Sequence, residues 1–135
     1  MRSNPPKLLV VDDSRTVRVQ VQRMLTKAGY DVITAEDGVQ AIDLLDQCPS
    51  LMVLDVNMPR LDGYGVVEKL KQLGGDFDRL PIIFLTTLES KAMELLGREF
   101  GAYLHKPVNE NELLSAVKSQ LEFVCHENRS TPETH

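Results

Sequence analysis

Cysteine is scarce in this chain: only Cys48 and Cys125 occur, far apart, in neither a CxxC pair nor a zinc-ligand spacing. A short secreted domain usually carries more, so both read as free thiols of a reducing cytosol. Long apolar runs are also missing. After Met1-Arg2-Ser3-Asn4-Pro5-Pro6 the first run is only Leu8-Leu9-Val10-Val11, short of the roughly 7–15 apolar residues of a signal peptide and the roughly 20 of a membrane helix. A cytoplasmic location without membrane insertion is the expectation. Positive charge is in deficit, with 15 Lys plus Arg against 20 Asp plus Glu and a net charge of -5. That balance offers no general electrostatic grip on nucleic acid or an anionic membrane. Direct nucleic-acid binding is not expected, and partners must be found by surface shape. No internal repeat or low-complexity block is present.

What is present suits one soluble domain: 135 residues, 42% hydrophobic and 26% charged. Leu8 to Val11, Leu51 to Leu54 and Ile82 to Leu85 have the density of strands buried on both faces, with Val32-Ile33 weaker and Ala102-Tyr103-Leu104 short. Between them the period turns helical. Val17, Val21, Met24 and Ala28 line a first helix stopped by Gly29, and Val39, Ile42 and Leu45 a second closed by Pro49. Val66, Leu70 and Leu73 mark a third, closed by Gly74-Gly75, and Ala92, Leu95 and Leu96 a fourth. The last helix has Asn109 as its cap, Glu112 as capping-box partner, and Leu113, Val117, Leu121 and Val124 on one stripe.

Strand and helix alternating five times predict an α/β fold: a doubly wound five-stranded parallel sheet with helices on both faces. Residues 1–6 read as an N-terminal extension, 7–124 as the domain, and 125–135 as a flexible tail or the start of a linker.

In such a sheet, ligands bind at the carboxyl ends of the strands. Asp12-Asp13 end the first strand, Asp55 the third and Thr86 the fourth, and the fifth leads into His105-Lys106-Pro107. Alone, each is commonly a turn former, strand filler or solvated charge. Together they gather carboxylates that repel one another, a conflict that a bound cation relieves. An all-oxygen site short of ligands suits Mg²⁺, which keeps several waters and is often shared with a phosphate. Asp55, ionised at neutral pH, can attack a phosphoryl group without a neighbouring base. Thr86 and Lys106 supply positioning and charge neutralisation.

At these residues the sequence resembles the CheY-like receiver domains of two-component response regulators. The resemblance is carried by Leu9-Val10-Val11-Asp12-Asp13-Ser14, Leu54-Asp55-Val56-Asn57-Met58-Pro59 with Asp62-Gly63, Phe84-Leu85-Thr86, and Tyr103-Leu104-His105-Lys106-Pro107, and it covers about residues 7 to 123. It implies a flavodoxin-like strand order 2-1-3-4-5. It implies that Asp55 accepts a phosphoryl group from a histidine kinase or histidine phosphotransfer protein. Mg²⁺ (or Mn²⁺) would be held by Asp12, Asp13, Asp55 and the backbone carbonyl of Asn57. Thr86 would bond a phosphoryl oxygen, Lys106 would pair with the phosphate, and Tyr103 would be the aromatic switch partner of Thr86. It makes Lys106-Pro107 a candidate cis bond, and it places Asn57, Met58 and Thr87 where they modulate the reaction. A downstream protein target would meet the surface of the fourth helix, fifth strand and last helix. The resemblance implies a switch that catalyses only its own phosphorylation and dephosphorylation, as a monomer or weak phosphorylation-dependent dimer.

Two departures from the family pattern stand out. Thr87 replaces a common Ala, which predicts an altered phosphoryl-group lifetime. The stretch from Thr86 to Lys106 is about two residues short, and Phe100-Gly101-Ala102-Tyr103 lacks the acidic pair often found before the tyrosine. That argues against the dimer of winged-helix regulators and favours a stand-alone module. The alternatives are a receiver excised from a multidomain regulator or hybrid kinase, and a phosphate-independent scaffold. A phosphatase of the haloacid dehalogenase type needs a second Asp where Asn57 stands. A flavodoxin-like cofactor binder lacks its GxGxxG turn or Ser/Thr-rich phosphate loop after the first strand.

Overall fold

The computed structural model describes residues 5–56, 63–73, 80–86 and 101–130. Its five strands are β1 (Lys7–Val11), β2 (Asp31–Ala35), β3 (Leu51–Asp55), β4 (Ile82–Thr86) and β5 (Gly101–His105). All neighbours are parallel, in the order β2-β1-β3-β4-β5. Each parallel step needs a crossover, and helical segments supply it from β1 to β2, from β2 to β3 and from β3 to β4. The helices are α1 (Arg15–Lys27), α2 (Gly38–Asp43) with a 3₁₀ turn at Leu44–Gln47, α3 (Gly63–Leu73) and α4 (Glu110–Ser130).

The pleat divides the apolar strand residues between two cores. Leu9, Val11, Met52, Leu54, Ile82 and Phe84 face one side and pack with Ala41, Leu45, Val66 and Leu70 of the α2 and α3 layer. Leu8, Val10, Leu51, Val53, Ile83 and Leu85 face the other and pack with Val21 and Leu25 of α1 and Leu113 and Val117 of α4. Continuous apolar runs are therefore what β1, β3 and β4 require, being covered on both faces. The edge strand β2 is mostly half-buried, which explains its weaker hydrophobic signature.

Local signals set the helix ends. Ser14 caps α1 by accepting from the Val17 N–H at 3.3 Å. At the other end Gly29, at φ 103°, lets Tyr30 N–H reach Leu25 O (3.1 Å) and Gly29 N–H reach Thr26 O (3.0 Å), satisfying the last carbonyls. Asp37 caps α2 through Gln40 N–H at 2.8 Å, and Asn109 caps α4 through Glu112 N–H at 3.0 Å.

Several expected faces are corrected. In α1 the buried pair is Val21 and Leu25, with Val17 and Met24 half-buried, while Ala28 is the exposed residue after the helix. In α2 Val39 is 41% exposed, and Gly38 and Ala41 lie inward with Leu45. Small residues let this helix lie close to the sheet, and they carry little hydrophobic signal. Leu73, on the final turn of α3, is 49% exposed. The 3₁₀ turn that follows α2 ends at Gln47, with Cys48 in the left-handed region at φ 57°, one residue before Pro49. The helix expected around Ala92, Leu95 and Leu96 lies outside the described residues, as does Gly74-Gly75. Finally, α4 continues to Ser130, so the segment expected to begin a flexible tail at 125 begins as helix. No glycine or proline interrupts it before Pro132.

Candidate functional site

The switch point of the sheet lies between β1 and β3, whose onward connections run to opposite sides. The ladder continues one rung past the strands: Asp12 N–H donates to Ala35 O (3.2 Å), Val56 N–H to Leu85 O (3.1 Å) and Lys106 N–H to Thr86 O (2.8 Å). The backbone on which the polar residues stand is thus fixed by the same hydrogen bonds that build the sheet. Register brings Asp55 beside Leu85 and Thr86 beside His105, so the strand ends are level.

Four of the expected residues meet at this edge. Asp12, Asp13 and Asp55 each present a carboxylate oxygen within 4.8 Å of the others, with Asp12 and Asp55 buried and Asp13 exposed. Lys106 Nζ lies 3.1 Å from Asp12 Oδ2 and 3.2 Å from Asp55 Oδ1. Thr86 ends the adjacent strand and is buried. Burial tends to lower the pKa of Lys106, but the hydrogen bonds and charges of Asp12 and Asp55 outweigh it and hold the ammonium above the ordinary lysine value.

Asp12 is held on every side. Its Oδ1 accepts from Ser14 N–H at 2.9 Å, and its backbone carbonyl accepts from Arg18 Nη1 at 2.8 Å. Its Oδ2 is buried and, among the described residues, is met by the Lys106 ammonium without a well-aligned hydrogen bond. One ammonium cannot neutralise three carboxylates. A hard divalent cation fits this donor set, which consists of oxygens alone and leaves a buried anionic oxygen short of partners.

Tyr103 is half-buried against the core on the α2 and α3 side. Its ring meets that of His105 edge-on, with centroids 5.7 Å apart and planes at 83°. Both line an open cavity of about 650 Å³ that extends over Lys106, Pro107, Asn109 and Glu112. The carboxylate cluster is not part of its lining. The Lys106-Pro107 bond is cis, as the resemblance implies. Asn57, Met58 and Thr87 lie outside the described residues. Arg18 and Ser14 are the site residues that sequence reasoning left without a role. The available signal was position: Ser14 is the helix cap directly after the acidic pair, and Arg18 follows one turn later.

Fold and site together define an open parallel α/β protein with a buried, lysine-bridged carboxylate centre at its switch point. Residues 8–118 match the family described as response regulator receiver domain, and the chain belongs to that family. It is 39% identical to "Probable transcriptional regulator ycf27" of Cyanophora paradoxa over 138 residues, covering 100% of this chain and 56% of the relative. It is 44% identical to the response regulator MprA of Mycobacterium sp. (strain KMS) over 120 residues, covering 87% of this chain and 51% of the relative. The chain thus spans about half the length of these curated relatives. Among solved structures, the Vibrio cholerae chemotaxis protein CheY4 superposes with a TM-score of 0.77 at 34% identity, covering 85% of this chain and 98% of that one. The signal receiver domain of a histidine kinase from Syntrophus aciditrophicus gives 0.76 at 32% identity, over 88% and 92%. No described helix is long and apolar enough to cross a membrane.

Proposed function

We propose that this chain is a phosphorylation-controlled signalling switch in which Asp55 is the phosphoacceptor. The carrying observation is the contact of Lys106 with both Asp12 and Asp55 inside a buried carboxylate cluster. An Asp55 carboxylate oxygen forms the new O–P bond while the N–P bond of a phosphohistidine on a histidine kinase or phosphotransfer protein breaks, its electron pair leaving with the imidazole. Asp12, Asp13 and Asp55, with the carbonyl of Asn57, are the residues that would hold Mg²⁺ or Mn²⁺. That ion supplies charge neutralisation at the phosphoryl oxygens. Lys106, already beside Asp55, pairs with the phosphoryl group, and the Thr86 hydroxyl bonds another of its oxygens.

The chain turns over no separate substrate; it catalyses only its own phosphorylation and dephosphorylation. Movement of Thr86 toward the phosphoryl group draws Tyr103 inward, changing the surface around β5 and α4 that a downstream protein reads in the cytoplasm. The acidic charge favours a protein target over nucleic acid, with the chain a monomer or weak phosphorylation-dependent dimer. A stand-alone module is the first reading. The double length of the curated relatives favours a second, a receiver that is one part of a larger regulator, and the mass of the native protein on an immunoblot separates the two.

Intact mass after incubation with Mg²⁺ and acetyl phosphate tests the mechanism. One phosphoryl group gained by the wild type, and none by Asp55→Asn or without metal, is expected. No gain in the wild type would make the protein a phosphate-independent scaffold.

A further inference from the structure

We propose that Arg18 is a positioning residue for the cation: by holding the Asp12 carbonyl it fixes the Asp12-Asp13 peptide, and so the direction in which the Asp13 carboxylate meets the ion. The inference rests on the metal-dependent reading of the site given above.

Asp12 and Asp13 are held very differently. The Asp12 side chain is buried, with Oδ1 on Ser14 N–H and Oδ2 on Lys106 Nζ, and its own N–H is tied to Ala35 O. Asp13 is exposed, and its carboxylate has no hydrogen bond or ion pair among the described residues. Its placement within 4.8 Å of the other two carboxylates therefore depends on its backbone. The peptide joining the two residues is a rigid plane. Its carbonyl end is anchored by Arg18 Nη1 at 2.8 Å, from a half-buried guanidinium one turn into α1. The backbone from which this side chain reaches is held in the first turn of α1, where Arg18 N–H donates to Ser14 O at 2.9 Å. Without this anchor the plane can rotate and carry the Asp13 carboxylate out of the cluster.

Charge alone predicts the opposite. A guanidinium near the cluster repels a cation, so deleting it should tighten metal binding if Arg18 acts only through its field. The sign of the change therefore separates the two roles. The loss expected for removing a residue that orients a metal ligand is about tenfold in affinity.

Isothermal titration of the full chain with MgCl₂ provides the test, with wild type, Arg18→Gln, Arg18→Lys, Asp13→Asn and the Arg18→Gln/Asp13→Asn pair. Urea unfolding of each confirms a folded state. The expected result is a Kd for Mg²⁺ weakened about tenfold in Arg18→Gln, an intermediate loss in Arg18→Lys, and a double variant no weaker than Asp13→Asn alone. Should Arg18→Gln fail to fold, Arg18→Lys, which keeps the charge, carries the comparison. Unchanged or tighter binding, or losses that add in the double variant, would overturn the inference while leaving the site intact. Absence of Mg²⁺ binding by the wild type would instead remove the site reading, and the role of Arg18 with it.

Discussion

Lys106 reaches across the edge of the sheet from the end of β5 to stand 3.1 Å from Oδ2 of Asp12, at the end of β1 three strands away. The Asp12 side chain is fully buried and the Lys106 side chain is 18% exposed, so each charge depends on the other more than a surface pair would.

Replacing Lys106 by Met removes the ammonium that Asp12 and Asp55 share. We expect a loss of about 3 kcal/mol, measured by urea unfolding in metal-free buffer. Mg²⁺ should restore more stability to Lys106→Met than it adds to the wild type, because in the variant it neutralises carboxylates that have lost their ammonium. Equal gains in melting temperature for both proteins would place the cation elsewhere.

The same pair sets a pH dependence at the alkaline end. The folded-state pKa of Lys106 is raised above 10.5 because the two carboxylates outweigh burial. A group raised on folding contributes fully below its unfolded pKa and loses that contribution as pH climbs through the folded one. The stability difference between wild type and Lys106→Met should therefore be flat around neutrality and shrink only above 10.5. Subtracting the variant removes the titration of tyrosines and other lysines. A difference that stays constant through this range would show that the ion pair contributes no net stability.

Cys48 adopts φ 57° after the 3₁₀ turn, a left-handed conformation that an L side chain resists. Cys48→Gly should raise stability by about 0.5 kcal/mol, the relief of strain being partly offset by the greater freedom of glycine in the unfolded chain. Cys48→Ala keeps the strain and should gain nothing, a contrast read from the two urea midpoints.

Asn109 Oδ1 accepts from Glu112 N–H at 3.0 Å and closes the start of α4. Asn109→Ala should cost about 1 kcal/mol in thermal or urea unfolding. Asn109→Asp, which preserves the acceptor, should recover most of it.

Much of the fold was legible because buried parallel strands must be apolar on both faces. Leu8 to Val11, Leu51 to Leu54 and Ile82 to Leu85 announce the three central strands, and the fainter Val32-Ile33 marks an edge. The acidic pair, Asp55, Thr86 and Lys106 could likewise be ordered along the chain, since strand ends are where an α/β sheet binds. The α2 face is not legible from Val39, because the residues that bury there, Gly38 and Ala41, carry no strong apolar signature. The polar stretch after Cys125 shows no period and reads as a tail, yet α4 runs on to Ser130, since an established helix gains one backbone bond for each residue it adds.

The sequence by itself determined the identities and the order of the charged groups, because residue type and strand-end position are local properties. Only the tertiary structure decided that Lys106 pairs with Asp12 as well as Asp55, that Tyr103 meets His105 edge-on, and that Arg18 grips the Asp12 carbonyl. These contacts arise from sheet register and from the approach of α1, which join residues distant along the chain or turned toward each other by the backbone. Hydrophobic periodicity records which face of an element is buried, and it is silent about which polar atoms that burial brings within reach.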